Sequence, residues 1–572
     1  MRIRNTAVIA LLFIVFSSSV FSQVSADPDD FFYTDLNRWE TLGLVTNLPS
    51  SRPYPMQMVK EILQIVLEKG DNSDRAIARE HLDRIFGRVM SPGVRTEAAY
   101  NLADSSKQLG VAMALDANYQ IEDFFSVSAS IDGWAINRLP NNELLPSNML
   151  SSKDLIEDQV KAGPFYILPS INSSFSVGNT EYYAQAGLMR GSWGPIHSNG
   201  VILPSSAFHT GQYTVAINKE KWGFDTALYS LVATSIDNPV EFNPEKFLAV
   251  HSIDWRPYRW LSFSLVESVV YGNRIEPLYL LPFSVYFTSQ GLVGFADNSM
   301  IGGTFSVLPA KGVKIDGVLY TDDIGFNDVI RFNKDQKWRI AGQLAASWAP
   351  KIHPMLRFLK ADYTMVTPYT YSHKESDSLD SSAPNYQNYT HAGQALGASL
   401  EPNSDRLNLS VTVTPLEKLD VDIVGTLIRH GNVNENIQQD WVREYVAGSL
   451  DYVTDGSVNN SSYTKTGHAY NHGTPFLTQD TLQYIWQTGF DVKCRLPVLK
   501  TGGYMLFKLG YRFELNLNDG INSNVYASDS SLDPDDTAAV DAAAAAQLAE
   551  WKANAGGREI DNIITVGFEY YY

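Results

Sequence analysis

The chain has a single cysteine, Cys494, so no internal disulfide can staple it. Beyond its first residues it has no run of about twenty apolar positions, which excludes a membrane-crossing helix. Positive charge is scarce: 44 Lys and Arg against 63 Asp and Glu leave a formal net charge of −19. That balance argues against a nucleic-acid partner, because a phosphate backbone is held by basic patches. A glycine-rich phosphate loop is missing. Single histidines such as His81, His197 and His353 lack metal-ligand spacing. His468 and His472 are four apart, but in an Asn- and Ser-rich stretch rather than on a helix, a poor metal signal. His251 and Asp254 share one segment, yet no serine is placed beside them, so no nucleophilic triad is marked. No catalytic residue, metal or cofactor is assigned from these absences.

What the chain does have begins with a leader. Arg2 and Arg4 precede an apolar run over residues 7–16. Small residues then lead to a cleavage site after Val24-Ser25-Ala26, with Ser22 as the competing position. The apolar core is too short to cross a bilayer of ~30 Å as a helix, and no cysteine stands near the cut to carry a lipid anchor. Residues 1–26 are therefore expected to be an export signal, whose loss takes the charge from −19 to −21.

Residues 27–95 are expected to form a small periplasmic helical segment. Val59, Ile62, Leu63, Val66 and Leu67 make one apolar stripe, with Pro55 at the helix start and Gly70 at its end. A second stripe carries Ala78, Leu82, Ile85, Phe86 and Val89, and a shorter helix carries Phe32, Leu36 and Trp39 up to Gly43. Three such helices need a support. The rim of a barrel is the natural one, with little contribution expected to the pore itself.

From residue 108 the pattern changes to alternation, in a chain with 12% aromatics, 30 tyrosines and 39 glycines. Eighteen segments read as strands, from 108–119 to 560–572, with 389–400 among them. An even number fits a barrel with both termini on one side. Stretches 431–479 and 517–559, rich in Asn, Asp, Ser and Tyr, read as long outer loops. The parity leaves the long loop 369–388 on the short-turn side. Residues 414–418 read as a tight inner turn, and residues 535–553 as an alanine-rich helix with Asp535, Asp536 and Asp541 near its N-terminus. With Asp529 and Asp533 these acids could also be read as a calcium site, although the spacing lacks a glycine-centred ligand loop. The last strand sets Ile564, Val566, Phe568, Tyr570 and Tyr572 on one face, the period-two apolar face of a tilted membrane strand. An all-β transmembrane barrel over 100–572, with 16–18 antiparallel strands, is the fold class this implies. The aromatic end resembles the signal read by outer-membrane barrel assembly machinery.

Three stretches carry a family resemblance. The first is Asp35-Leu36-Asn37-Arg38-Trp39 with Leu42-Gly43-Leu44 and Ser51-Arg52-Pro53-Tyr54. The second is Gly187-Leu188-Met189-Arg190-Gly191-Ser192-Trp193-Gly194-Pro195 with Ser205-Ser206. The third is His251-Ser252-Ile253-Asp254-Trp255-Arg256-Pro257, continuing through Trp260-Leu261 and Glu267 to Pro282, Asp297-Asn298 and Asp322-Asp323. Over residues 30–330 the chain resembles the Wzi-type capsule assembly proteins. The resemblance implies a barrel of about eighteen strands with a loop-blocked lumen, binding surface polysaccharide at the outer membrane of a diderm bacterium.

Sugar rings present apolar faces to aromatic side chains and hydroxyls to Asp, Asn, Arg and His. Arg190, Trp193, His251, Arg256, Glu267, Asn298, Asp322 and Asp323 supply those types, either as glycan contacts or as a lumenal polar network. Trp255 and Trp260 suit an interfacial aromatic girdle. The competing functions are a porin or solute channel, a surface adhesin and a lipid-acting barrel enzyme.

Overall fold

A computed structural model describes residues 30–572 apart from 122–123, 138–160, 208, 236–237, 239–240, 282, 295–296, 324–338, 352–354, 374–382, 437–438, 448–457, 459–475 and 499–502. The expected export signal lies outside the described residues.

Three helices come first: α1 (Phe31–Thr41), α2 (Met56–Lys69) and α3 (Asn72–Phe86). The side chain of Asp30 caps α1 and that of Asp71 caps α3, each accepting a backbone N–H of its helix. The α2 stripe of Val59, Ile62, Leu63 and Val66 is buried against Phe32, Leu36 and Trp39 of α1 and Ile77, Ala78 and Ile85 of α3. Val89 falls beyond the last helix and is exposed.

Eighteen antiparallel strands then close into a barrel. They are β1 (Met90–Asn101), β2 (Lys107–Ile121), β3 (Phe125–Ile136), β4 (Phe165–Gly178), β5 (Tyr182–Met189) and β6 (Thr210–Asn218). Next come β7 (Trp222–Ala233), β8 (Asn243–Tyr258), β9 (Leu261–Gly272), β10 (Asn298–Ala310), β11 (Val313–Asp323) and β12 (Arg339–Trp348). The circuit ends with β13 (Leu356–Val366), β14 (Ser404–Leu416), β15 (Leu419–Gly431), β16 (Leu482–Val498), β17 (Gly503–Leu517) and β18 (Arg558–Tyr571). Closure runs through β1 and β18, from Gly93↔Tyr571 to Asn101↔Ile563. Every strand thus has two partners and no edge is left open.

Successive residues alternate between lumen and outer wall. Val111, Met113, Ile171, Leu265, Leu409 and Val566 are exposed on the outer wall, as a lipid-facing belt requires. Trp222, Trp255, Tyr258 and Trp260 are exposed on the same wall beside short turns, where an aromatic girdle belongs. Inward positions are polar, with pairs such as Lys508–Glu569 and Arg95–Asp132.

The connections differ by end. One end has tight turns, such as Glu417-Lys418 with Lys418 at φ 71° and the turn holding Gly312 at φ 81°. A Cβ at residue 312 would meet the Ala349 carbonyl oxygen at 2.9 Å, so glycine is required there. The other end carries the long connections 273–297, 367–403, 432–481 and 518–557. On it, α5 (Gln439–Val446) and α6 (Thr537–Ala555) pack around Val442, Val446, Val540 and Trp551. Asp536 caps α6 by accepting from Ala539 N, and Asp541 pairs with Arg443. A further helix, α4 (Tyr286–Leu292), lies between β9 and β10.

Two corrections to the strand reading offset each other. Met90–Asn101 is the first barrel strand, which moves the end of the helical segment from 95 to before residue 90. Its opening Ser91-Pro92-Gly93 and inward Arg95 and Glu97 dilute the alternation. Residues 389–400 are not wall. They contain a separate two-stranded hairpin, Thr390–His391 with Gln394–Ala395, inside the lumen-filling connection 367–403. With both changes, that long connection moves to the long-loop end.

Candidate functional site

The lumen is entered from both ends. At the short-turn end, Ser50 and Ser51 donate their backbone N–H groups to Asp225 Oδ2 on the inner wall of β7, at 2.6 and 3.2 Å. Arg256 of β8 donates to the Leu48 carbonyl at 3.0 Å and to Asp254 Oδ2 at 2.8 Å. Gln185 donates to the Pro53 carbonyl at 2.7 Å. Residues 48–57 therefore sit in the pore, where the sequence placed them only on its rim. Apolar packing explains the difference: Tyr183 and Ala216 of the inner wall belong to the same core as the helices.

From the other end the connection 190–209 folds inward, and its Ser192–Trp193 pairs with Ser51–Arg52 in a two-stranded sheet. The connection 367–403 lies beside it. Tyr371, Tyr389 and Leu396 join Trp193, Ile196 and Val201 in one buried cluster with inner-wall Leu231, Val250 and Val270. Lys246 Nζ holds this loop through Asn388 Oδ1 at 2.7 Å and Thr390 Oγ1 at 3.0 Å. The half of the lumen along β5–β13 is thereby filled.

The residues singled out from sequence do not form one site. Arg190 and Trp193 are enclosed in the junction, and no face of the Trp193 ring is open to a sugar. Arg256 is a tether at the short-turn end. Asn298 donates to the Gln387 carbonyl at 3.0 Å, and Asp322 accepts from Tyr371 N at 2.9 Å, so both hold the 367–403 loop. The side chain of Asp323 lies outside the described residues. His251 and Glu267 do pair, Nε2 to Oε2 at 3.1 Å, but on the outer wall rather than in the lumen. The sequence reading passed over Asp225 and Lys246, and gave Asp35 no role of its own. A charged residue at an inward strand position is the only signal that Asp225 and Lys246 give, and Asp35 lies on α1.

Asp35 ties α1 to both α3 and the barrel. It accepts from His81 Nε2 at 2.8 Å and from Arg357 of β13, while Arg84 Nη2 lies 3.3 Å from His81 Nδ1. The imidazole is thus the neutral Nε2–H form, donating to Asp35 and accepting from Arg84. Burial lowers the His81 pKa against the pull of Asp35. For Asp35 burial acts upward, but Arg357, His81 and Arg495 outweigh it and hold the carboxyl well below the usual range. Both groups are lowered, so the unfolded helical segment binds more protons than the folded one. Its fold is stable above the reference values of 6.5 and 3.8 and weakens as pH falls, first through His81 and then through Asp35. One proton contributes at most about 1.4 kcal/mol per pH unit. Hydrogen-exchange protection of residues 31–86 is expected to fall by up to about tenfold per unit below about pH 6, with strand amides unaffected. His81→Gln removes the first limb. A flat profile in the unaltered protein refutes this assignment.

Ser192 Oγ lies 2.9 Å from His197 Nδ1, which resembles half of a hydrolytic dyad. The serine is fully buried, and burial together with Arg52 depresses the imidazole pKa well below normal, so it is a poor general base. The β1–β3 and β15–β18 side of the lumen is different. It holds a cavity of about 470 Å³ lined by Glu97, Gln108, Trp134, Asp491, Lys508 and Arg512.

No family model matches the chain, and no curated protein does. Solved structures do. OprD of Pseudomonas aeruginosa aligns at 9% identity and TM-score 0.38, covering 84% of this chain and 95% of its own. OccAB2 of Acinetobacter baumannii aligns at 8% and 0.41, covering 84% and 97%. Wzi, an outer-membrane protein involved in group 1 capsule assembly in Escherichia coli and described as a carbohydrate-binding β-barrel, aligns at 11% identity and TM-score 0.54, covering 96% of this chain and 99% of its own. The chain has the 18-strand outer-membrane barrel fold of Wzi.

Proposed function

We propose that this protein is exported to the outer membrane of a diderm bacterium, where it binds or organises surface polysaccharide without catalysis and without conducting ordinary solutes. The observation that carries the reading is the plug that fills the β5–β13 half of the lumen, in which Ser51–Arg52 from one end pairs with Ser192–Trp193 from the other. A diffusion pore has no use for such a junction. The fold is shared with a barrel described as carbohydrate-binding, which supports the ligand class. In this reading Arg190, Trp193, Arg256, Asn298 and Asp322 hold the closed lumen, and the glycan meets the long connections at the other end from α1–α3. Each contact is weak and is multiplied when one polymer spans many barrels. Lipid surrounds the outer wall, and the strand ending at Tyr572 is the handle for barrel assembly machinery.

The purified protein in planar bilayers is expected to show no large steady conductance, and to be retained on a capsular or exopolysaccharide matrix. Large steady steps without retention on any cell-surface glycan replace this reading with a solute channel. The cavity of about 470 Å³ beside Trp134 is the observation that favours that second reading.

A further inference from the structure

The connection 273–297 does not enter the lumen as 190–209 and 367–403 do. It folds down over the outer wall of β7–β9. His251, Glu267 and Ala249 share that wall with the lipid-facing Ile253 and Leu265, as the register His251↔Glu267, Ile253↔Leu265 and Trp255↔Phe263 requires. Tyr286 of α4 covers the polar pair: its ring lies 4.2 Å from that of His251, and its backbone N–H donates to Glu267 Oε2 at 3.0 Å. Phe283 stacks on Phe224 at 4.2 Å.

Depth makes this unusual. His251 stands four residues up β8 from Trp255 of the girdle, about 10 Å at a strand rise of ~3.3 Å and a tilt of ~40°. The apolar belt of such a barrel is ~25 Å tall, so the pair and its cover lie within it. Residues 277–296 contain no Asp, Glu, Lys, Arg or His, in a chain that is 19% charged. The neck of the segment is closed by Arg274 on Asp297. Its outward side exposes Leu281, Phe283, Val285, Phe287 and Leu292, the last at 77%. An aqueous loop would not present such a surface.

We propose that residues 277–281 and 283–294 form a membrane-embedded clasp, whose outward face takes the acyl chains of the surrounding lipid while its inner face seals the His251–Glu267 pair from them. The occupant follows from continuity: the face extends the belt that Ile253, Phe263, Leu265 and Ile301 already present to lipid. The Glu267 carboxylate serves two ends at once. It supplies the acceptor that the N-terminal N–H of α4 needs at that depth, and its own charge is hidden by the segment it holds.

The test places a fluorescent label at Phe287→Cys or Leu292→Cys in the full chain carrying Cys494→Ala, reconstituted in phosphatidylcholine vesicles. Leu265→Cys reports the wall and Ser531→Cys the water. Heat-modifiable migration verifies folding of each variant. Quenching by acyl-chain bromines at 287 and 292 is expected to match that at 265 and to exceed that at 531 severalfold, with iodide reaching only 531. Iodide access at 287 and 292 equal to that at 531 overturns the proposal. Silence to both quenchers also overturns it, in favour of a second copy or another protein seated on this face.

Discussion

Removal of residues 568–572 is expected to abolish barrel assembly, with loss of heat-modifiable migration and gain of protease sensitivity. These residues pair on both sides, Phe568 to Tyr571 with Thr96 back to Gly93 and with Phe507 back to Tyr504. Their loss opens the closing seam at the short-turn end and strips two strands of backbone partners. In lipid each unpaired backbone group costs several kcal/mol, and a handful of them exceeds the roughly 5–15 kcal/mol by which ordinary domains are stable. Side chains add to the loss: Tyr571 bonds Arg95 and stacks on Tyr504 at 5.0 Å, and Glu569 bonds Lys508. The milder Tyr572→Ala removes a contact with Arg88, whose guanidinium lies 4.8 Å from the ring, and costs about 1 kcal/mol. Migration and trypsin resistance of the two variants in membranes separate the cases. Normal insertion of the truncation removes the terminal strand from its closing role.

Periodicity made most of this architecture legible. The α2 stripe from Val59 to Val66 reads as a helix because every fourth residue meets the same neighbour, and the neighbour is there. The wall strands read as strands because one face is apolar and the other polar. The same rule misreads residues 389–400, since a hairpin buried inside the lumen alternates by burial as a wall strand does. The rule also fails at His251 and Glu267. Polar residues on a barrel strand are assigned to the lumen by default, and nothing local reveals that a segment some twenty residues along the chain returns to cover them. Asp225 was illegible for a related reason. An inward carboxylate in a porin-like wall needs no explanation, and its partner Ser50 lies 175 positions away. Arg256, Asn298 and Asp322, chosen by chemical type, each bond a plug segment, because a plugged barrel uses Arg, Asp and Asn to hold its plug with the same bonds it would offer a sugar.

That plug supplies the second large effect. A chain from which residues 31–86 are deleted, with the export signal retained, is expected to insert, keep its heat-modifiable migration and conduct ions in steady steps where the intact protein does not. The barrel survives because each strand is bonded along its backbone to two neighbouring strands, while the helices reach the wall through side chains. Conductance appears because α1 and α3 close the short-turn end below the unfilled half of the lumen. Arg357 of β13 and Arg495 of β16 reach Asp35 and Glu80 of the helices. The connections 190–209 and 367–403 still fill the other half, so the open path runs along β1–β3 and β15–β18, beside the cavity of about 470 Å³. Lys508→Glu and Arg512→Glu in the deleted background are then expected to shift reversal potentials toward cation selectivity. A deletion that inserts normally and stays silent means that the loops alone seal the barrel, and the helices lose their part in closing it.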